Sequence, residues 1–345
     1  MIDFGIGEDE TLLRDAVERF ARDALAPQAR VAEANRAPDL ATIALYESLG
    51  LMGLEFADGG LGMQARCLVN QILGGADPGA ALALDRLGHA GYALWALDGS
   101  EGVAAVTDNP HRRAWLATPE DGAVNITERH ASGVLHFAPA GVTDLVVVSA
   151  GGVALIRDGI ESTPVRGGGL KAMNPVRIGL DAAPVARFRR LPVAPLLARA
   201  RLYLASLLLG VLDTAGSYAR DYAQQRVAFG KPIAHHQALA FLLTDMHTAV
   251  TGARLLIQDA AWRADAGLDA AEAAATAFTE TVEQSSFIGP NAVQVLGGLG
   301  FMQDYPVEKY MRESRLLGLL LGGADQAREE AAQSRDMTLM AGGVL

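Results

Sequence analysis

The sequence predicts a mainly α-helical protein with a small β domain in its middle. We expect an N-terminal helical domain over residues 1–112, a truncated β domain over 113–194, and a C-terminal four-helix bundle over 195–345. Hydrophobic residues make up 50% of the chain and charged residues 20%, a balance typical of a globular protein. The two ends carry apolar residues at helical spacing, whereas the middle carries short β-prone runs.

In the first domain, apolar residues recur close to a 3.6-residue period over residues 11–25, which predicts a helix ended by Pro27. Further helices are predicted near residues 40–49 and over the apolar stretch 80–97. Between them, the segment DGGLGM at residues 58–63 supplies flexible turn positions.

In the middle domain, residues 134–137, 144–149, 152–156 and 185–188 are β-prone runs separated by Gly, Pro and Asp, as in a small antiparallel domain. Four long helices then follow, over residues 200–226, 237–266, 270–296 and 308–321, and predict an antiparallel bundle. The apolar run 202–211 is about ten residues long, too short to span a bilayer, and suits a buried helix.

Composition excludes several classes of function. The net charge of −11 repels phosphate backbones, so we expect no nucleic-acid partner. The single cysteine, Cys67, excludes an internal disulfide and fits a reducing cytoplasm. The acidic N-terminus has no apolar core, so no signal peptide and no membrane association are expected. The seven histidines are scattered, and no metal site is predicted.

Two motifs in the bundle carry candidate chemistry. The first, RVAFGKPIAHHQ at residues 226–237, begins with an arginine whose planar fork of donors suits a diphosphate. The second, QVLGGLGFMQDYP at residues 294–306, has glycines that let a ligand approach the backbone closely. Each motif also has a plainly structural interpretation: Arg226 capping a helix end, and a glycine-rich turn before Pro306.

Together the two motifs resemble those of the acyl-CoA dehydrogenase family of flavoproteins, and the order of the three domains is similar too. The resemblance implies that one chain contacts the FAD of a neighbouring subunit through the residues Arg226, Phe229, His236, Gln237, Gln294, Gly297 and Gly298. Arg201 aligns with an arginine beside the acyl-CoA pocket of the family, although an arginine near a helix start needs no such role. His236 is equally compatible with an ordinary surface or core histidine.

The chain departs from the family where the catalytic base belongs. The family places a glutamate at the position of Leu321 or at that of Ala200, and neither residue present here accepts a proton. Asp325 lies one turn beyond Leu321, and we do not expect it to act as a base. The family holds a subunit's own flavin with residues that this chain lacks. In their place it has the segment ATPEDGA at 117–123, Gly323 and Asp325.

These features predict a non-catalytic subunit, similar to one half of the heteromeric acyl-CoA dehydrogenases of actinobacterial steroid and branched side-chain catabolism. Its expected partners are a homologous subunit that bears the glutamate, an acyl-CoA, and an electron-transfer flavoprotein, with FAD shared at the subunit interface. Two alternatives stay open. One is a homo-oligomeric flavoenzyme with a relocated base or monooxygenase chemistry, and the other is a non-redox protein that binds acyl-CoA or an acyl carrier.

Overall fold

A computed structural model describes residues 7–56 and 60–341, with side-chain positions up to residue 333. Asp58 and Gly59 of the predicted flexible turn and the first six residues lie outside the described residues. The architecture is an N-terminal helical domain, a middle β-sheet domain and a C-terminal set of helices, which confirms the predicted fold class.

The described part of the N-terminal domain contains six α-helices, and carboxylates accept first-turn N–H groups in three of them; Asp77 does so for Ala80 at the start of the fifth. Asp39 accepts a hydrogen bond from the Thr42 backbone N–H, and Asp265 accepts those of Met63 and Gln64. The helices are α1 (Glu8–Phe20), α2 (Ala29–Asn35), α3 (Leu40–Ser48), α4 (Met63–Ala76), α5 (Pro78–Leu84) and α6 (Gly91–Thr107).

The predicted continuous helix over residues 80–97 is wrong. The chain leaves α5 at Asp85, whose carboxylate accepts a hydrogen bond from the Gly88 N–H at 2.8 Å. Gly88 has φ +51°, a left-handed conformation that favours glycine, and helix resumes only at Gly91. Helix α4 was not predicted individually; its buried positions recur at helical spacing, but several of them are polar or glycine, such as Arg66, Asn70 and Gly74.

The middle domain is a seven-stranded sheet in which the predicted β-prone runs all lie within strands. Its strands are β1 (Ala114–Ala117), β2 (Gly122–Ile126), β3 (His130–Pro139), β4 (Asp144–Ser149), β5 (Gly152–Ile156), β6 (Ile160–Pro164) and β7 (Pro175–Arg189). The order is β1-β4-β5-β7-β3-β2, with β6 also paired to β7. The pairing is antiparallel throughout except for β1 with β4, which is parallel.

The C-terminal domain contains the four predicted helices and one more. They are α7 (Ala194–Gln225), α8 (Gln237–Asp265), α9 (Ala271–Leu296), α10 (Val307–Leu317) and α11 (Gly323–Ala341), with a short hairpin of β8 (Val227–Ala228) and β9 (Lys231–Pro232) after α7. The last predicted helix, 308–321, ends early, at Leu317, and the fifth helix α11 was not predicted. Helix α7 is long and apolar enough to cross a membrane, but 89% of its most apolar window is buried within the protein.

A ring of four alternating charges joins the first domain to the last. Arg30 pairs with Glu33 at 2.9 Å and with Glu308 at 2.6 Å, while Arg312 pairs with Glu33 at 2.9 Å and with Glu308 at 2.7 Å. Arg30 also donates a hydrogen bond to the Tyr305 carbonyl at 3.0 Å. Because networks of this kind hold geometry better than isolated surface pairs, the ring fixes the start of α10 against α2.

Candidate functional site

Both sequence motifs lie at the same end of the helical bundle. Helix α7 packs along α8 and α9, and short connections make consecutive helices run in opposite directions. The end of α7, the start of α8 and the end of α9 therefore meet. The pKa of Tyr218 near the end of α7 is raised, first by burial and then by the neighbouring hydroxyls of Tyr305 and Tyr222. Tyr305 of the second motif thus lies near Tyr218, which is about two turns before the first motif.

The first motif forms a tight hairpin that directs its aromatic side chain outward. Phe229 and Gly230 form the turn with φ of +54° and +78°, and Phe229 is 95% exposed. A non-glycine residue at positive φ is uncommon, and the nearly complete exposure of this ring leaves its apolar face open to another molecule. The edge-to-face contact with His236, with ring centroids 6.0 Å apart, supports the turn from one side.

His236 has a structural role in the hairpin. Its Nε2 lies 3.2 Å from the Ala228 carbonyl oxygen, and it directly precedes the first residue of α8, Gln237. Arg226 ends α7, with its backbone N–H bonded to the Tyr222 carbonyl at 2.9 Å, and its side chain is exposed, as is that of Gln237. The hairpin thus presents a cation, an amide and an aromatic ring on one surface.

In the second motif, the two adjacent glycines differ in what they require. Gly297 has φ +61° and ψ −136°, a conformation almost confined to glycine. Gly298 has no such constraint, and an added Cβ there would meet no atom within 4 Å. Nothing in the chain's own fold requires glycine at 298, while Gln294, one turn earlier, is exposed. An open backbone of this kind suits close approach by another molecule.

Neither position where a base was sought provides one. Leu321 is 1% exposed and Ala200 is fully buried, so both positions are filled by apolar side chains. The Asp325 side chain is 98% exposed and pairs with Arg328 at 2.8 Å. A carboxylate in water lacks the dry surroundings that raise basicity, so Asp325 does not meet the requirement for a base.

The two segments that we expect to replace the family's own-flavin residues are hydrogen-bonded to each other. One Asp121 oxygen accepts from the Thr118 backbone N–H at 2.7 Å, and the other accepts from the Gly322 N–H at 3.2 Å. Burial raises the pKa of Asp121 to about 6 against the opposing effect of these bonds. The loop over residues 321–323 has positive φ at all three positions, including Leu321 at +54°. The loop therefore contacts residues 118–121 directly, beside a cavity whose wall includes Thr118 and Glu120.

Arg201 lies in the wall of a cavity of about 650 Å³ between the middle domain, the start of α7 and α11. Its guanidinium is buried and forms a two-bonded ion pair with Glu330 of α11, in which Nη2 lies 2.9 Å from Oε1. Gln326 donates to the same carboxylate oxygen at 3.1 Å. The sequence did not predict Glu330 as a site residue, because α11 itself was not predicted and no motif marks that position.

Two family models match most of the helical parts of the chain. The acyl-CoA dehydrogenase N-terminal domain matches residues 7–102, and the acyl-CoA dehydrogenase C-terminal domain matches residues 193–334. The chain therefore belongs to the acyl-CoA dehydrogenase family, which confirms the resemblance seen in its motifs.

Known relatives support the family over part of the chain and the fold over nearly all of it. An acyl-CoA dehydrogenase of Bacillus subtilis is 38% identical over 122 residues, which are 35% of this chain and 32% of that protein. The match thus spans about a third of the length of that curated relative. The butyryl-CoA dehydrogenase of Megasphaera elsdenii superposes with a TM-score of 0.80 at 20% identity, covering 96% of this chain and 99% of the other. The Tcur3481-Tcur3483 steroid ACAD superposes with a TM-score of 0.76 at 22% identity, covering 98% and 99%.

Proposed function

We propose that this chain is a non-catalytic subunit of a heteromeric, FAD-dependent acyl-CoA dehydrogenase. In this proposal it pairs with a homologue that carries the catalytic glutamate, and it completes the FAD site of that homologue. The observation that carries the proposal is the contrast between two regions. Most of the residues that the family directs at a neighbouring subunit's flavin are exposed, whereas the segments at the family's own-flavin positions are hydrogen-bonded to each other.

The exposed residues fit a dinucleotide. Arg226 offers charge and a fork of donors to a diphosphate, and the open backbone at Gly298 admits close contact. Gln294 adds an amide that can both donate and accept hydrogen bonds. Phe229, exposed on its hairpin, offers an apolar face against which a ring can pack. Such packing would exclude water from that face.

The flavin would accept a hydride from the acyl β-carbon, and the partner's glutamate would remove the α-proton. This chain would supply orientation and charge only, because Leu321 and Ala200 hold no proton acceptor. Electrons would then pass to an electron-transfer flavoprotein. We propose a steroid or branched side chain as the acyl group and the cytoplasm as the location; the steroid ACAD shares the fold, as do a butyryl-CoA and a glutaryl-CoA dehydrogenase.

A relocated base in a homo-oligomer has less support. Glu330 is the carboxylate next to Arg201 in the cavity wall, but its oxygens accept hydrogen bonds from Arg201 and Gln326. A carboxylate held in this way is poorly placed to take a proton from a substrate.

The test is to purify the chain alone and together with its glutamate-bearing homologue, and to record visible flavin spectra. We expect FAD in the pair, with fewer flavins than chains, and none on the chain alone. Arg226→Met should weaken FAD binding to the pair by about ten- to a hundredfold, the effect of losing a charged hydrogen bond. Arg220→Met, at an exposed arginine of the same helix paired with Asp221, is the matched control.

Two results would count against the proposal. Tight, stoichiometric FAD on the isolated chain would mean that its own site is intact. Acyl-CoA binding without flavin in any complex would instead favour the non-redox alternative.

A further inference from the structure

The cavity beside Arg201 has an unusual charge arrangement for a protein that handles acyl-CoA. Its walls are largely apolar and come from the start of α7, the end of β4 and the α8–α9 connection, with Leu197, Val148 and Leu268 among them. At about 650 Å³ it falls within the size range of small-molecule sites. The cavity is therefore large enough for a ligand, and its polar groups decide which kind.

The cation in this wall is covered from within the chain. Arg201 is 1% exposed, whereas the side chain of Glu330, which pairs with it through both oxygens, keeps 25% of its surface exposed. The surface offered to a ligand is thus the carboxylate and the Gln326 amide rather than the guanidinium. Glu330 occupies the position at Arg201 that an anionic ligand would otherwise take.

The other charged residues in the cavity wall also disfavour an anionic ligand. Glu120 and Asp269 add negative charge, and Arg199 is the balancing cation. The Arg199 guanidinium donates to the carbonyls of Pro195 and Ala264, both at 3.2 Å, which orients it toward the helix ends rather than freely into the cavity. With Glu330 paired to Arg201, the two other carboxylates exceed the one other cation by a single charge, so an anion entering this cavity would meet a net negative wall, which is unfavourable.

We propose that Glu330 makes this cavity selective for an uncharged, largely apolar ligand over one that carries a carboxylate or another anionic group into the cavity. This inference concerns the chain's own cavity and needs neither flavin nor a partner subunit. It therefore stands or falls independently of the function proposed above.

The experiment measures binding of two matched probes to the full-length chain by isothermal titration calorimetry: decan-2-one, which is neutral, and decanoate, which is anionic. We expect the wild-type chain to bind decan-2-one at least about tenfold more tightly than decanoate. Glu330→Gln leaves Arg201 without its counter-charge, so decanoate should gain about ten- to a hundredfold and the preference should be lost or reversed. Glu329→Gln, at an exposed position on the same helix, should leave the preference unchanged.

A double variant keeps the test decisive if Glu330→Gln folds poorly. Arg201→Met with Glu330→Met replaces the buried pair by apolar side chains, a change that proteins often tolerate. It should retain decan-2-one and gain no affinity for decanoate. The proposal is overturned if decanoate binds the wild-type chain as well as the ketone does. It is also overturned if neither probe binds, or if Glu330→Gln and Glu329→Gln behave alike.

Discussion

The two adjacent glycines of the second motif differ in why glycine is needed. Gly297 has a backbone conformation that favours glycine, whereas only a bound ligand would require glycine at position 298. An alanine at 298 would place its Cβ in open space, since no atom of the chain lies within 4 Å of that position. We therefore expect Gly298→Ala to change the free energy of unfolding of the chain by no more than about 1 kcal/mol, with a slight gain possible because alanine restricts the unfolded chain. If FAD of the partner approaches the backbone here, the same methyl group overpacks that contact.

Overpacking a close contact typically costs about 1–3 kcal/mol, which corresponds to a roughly five- to 150-fold loss of FAD affinity in the pair. The assay is fluorescence titration of FAD into the apo pair, alongside thermal unfolding of the variant chain alone. Gly297→Ala is the matched comparison. It forces alanine to φ +61° and ψ −136°, so it should destabilise the chain itself by about 1–3 kcal/mol. The reasoning is refuted if Gly298→Ala leaves FAD affinity unchanged, or if it lowers the stability of the isolated chain as much as Gly297→Ala does.

Three further predictions concern the buried groups near the closed loop and the sheet. Leu321→Glu should destabilise the isolated chain by several kcal/mol, since a carboxyl group would be buried at a site that is 1% exposed. The variant should also show no dehydrogenase activity, and turnover with acyl-CoA would contradict this. Burial lowers the pKa of His89 to about 4, so the unfolded chain takes up its proton first as the pH falls. The wild-type chain should thus lose up to about 3 kcal/mol relative to His89→Gln between about pH 6.5 and pH 4 in urea titrations, and equal pH profiles would contradict this. Burial raises the pKa of Asp121 to about 6, so its charged form opposes folding above that pH. The free energy of unfolding of the wild-type chain should therefore rise relative to that of Asp121→Asn as the pH falls from about 6 towards 4. A decrease over this pH range would show that Asp121 is not buried as described.

Much of the helical architecture was predictable from local pattern. The long segments of the bundle begin and end within a few residues of the helices α7, α8 and α9, because an apolar stripe at helical spacing can be buried only one way. The prediction failed at residues 80–97, where a single contact between Asp85 and the Gly88 N–H turns the chain away from a helix that its composition favours. It also missed α11, since a polar helix held by contacts to α9 has no apolar signature of its own.

The sequence by itself determined the family and the absence of a proton acceptor at two positions, because each rests on residue identity: a leucine at 321 and an alanine at 200 accept no proton in any fold. Only the tertiary structure decided which parts of the molecule are open and which are closed. The meeting of the two motifs at one end of the bundle, the Asp121 bond to the loop at Gly322, and the covering of Arg201 by Glu330 join residues about 70, 200 and 130 positions apart. No local pattern encodes such pairings, since they arise from how the helices and the sheet pack against each other.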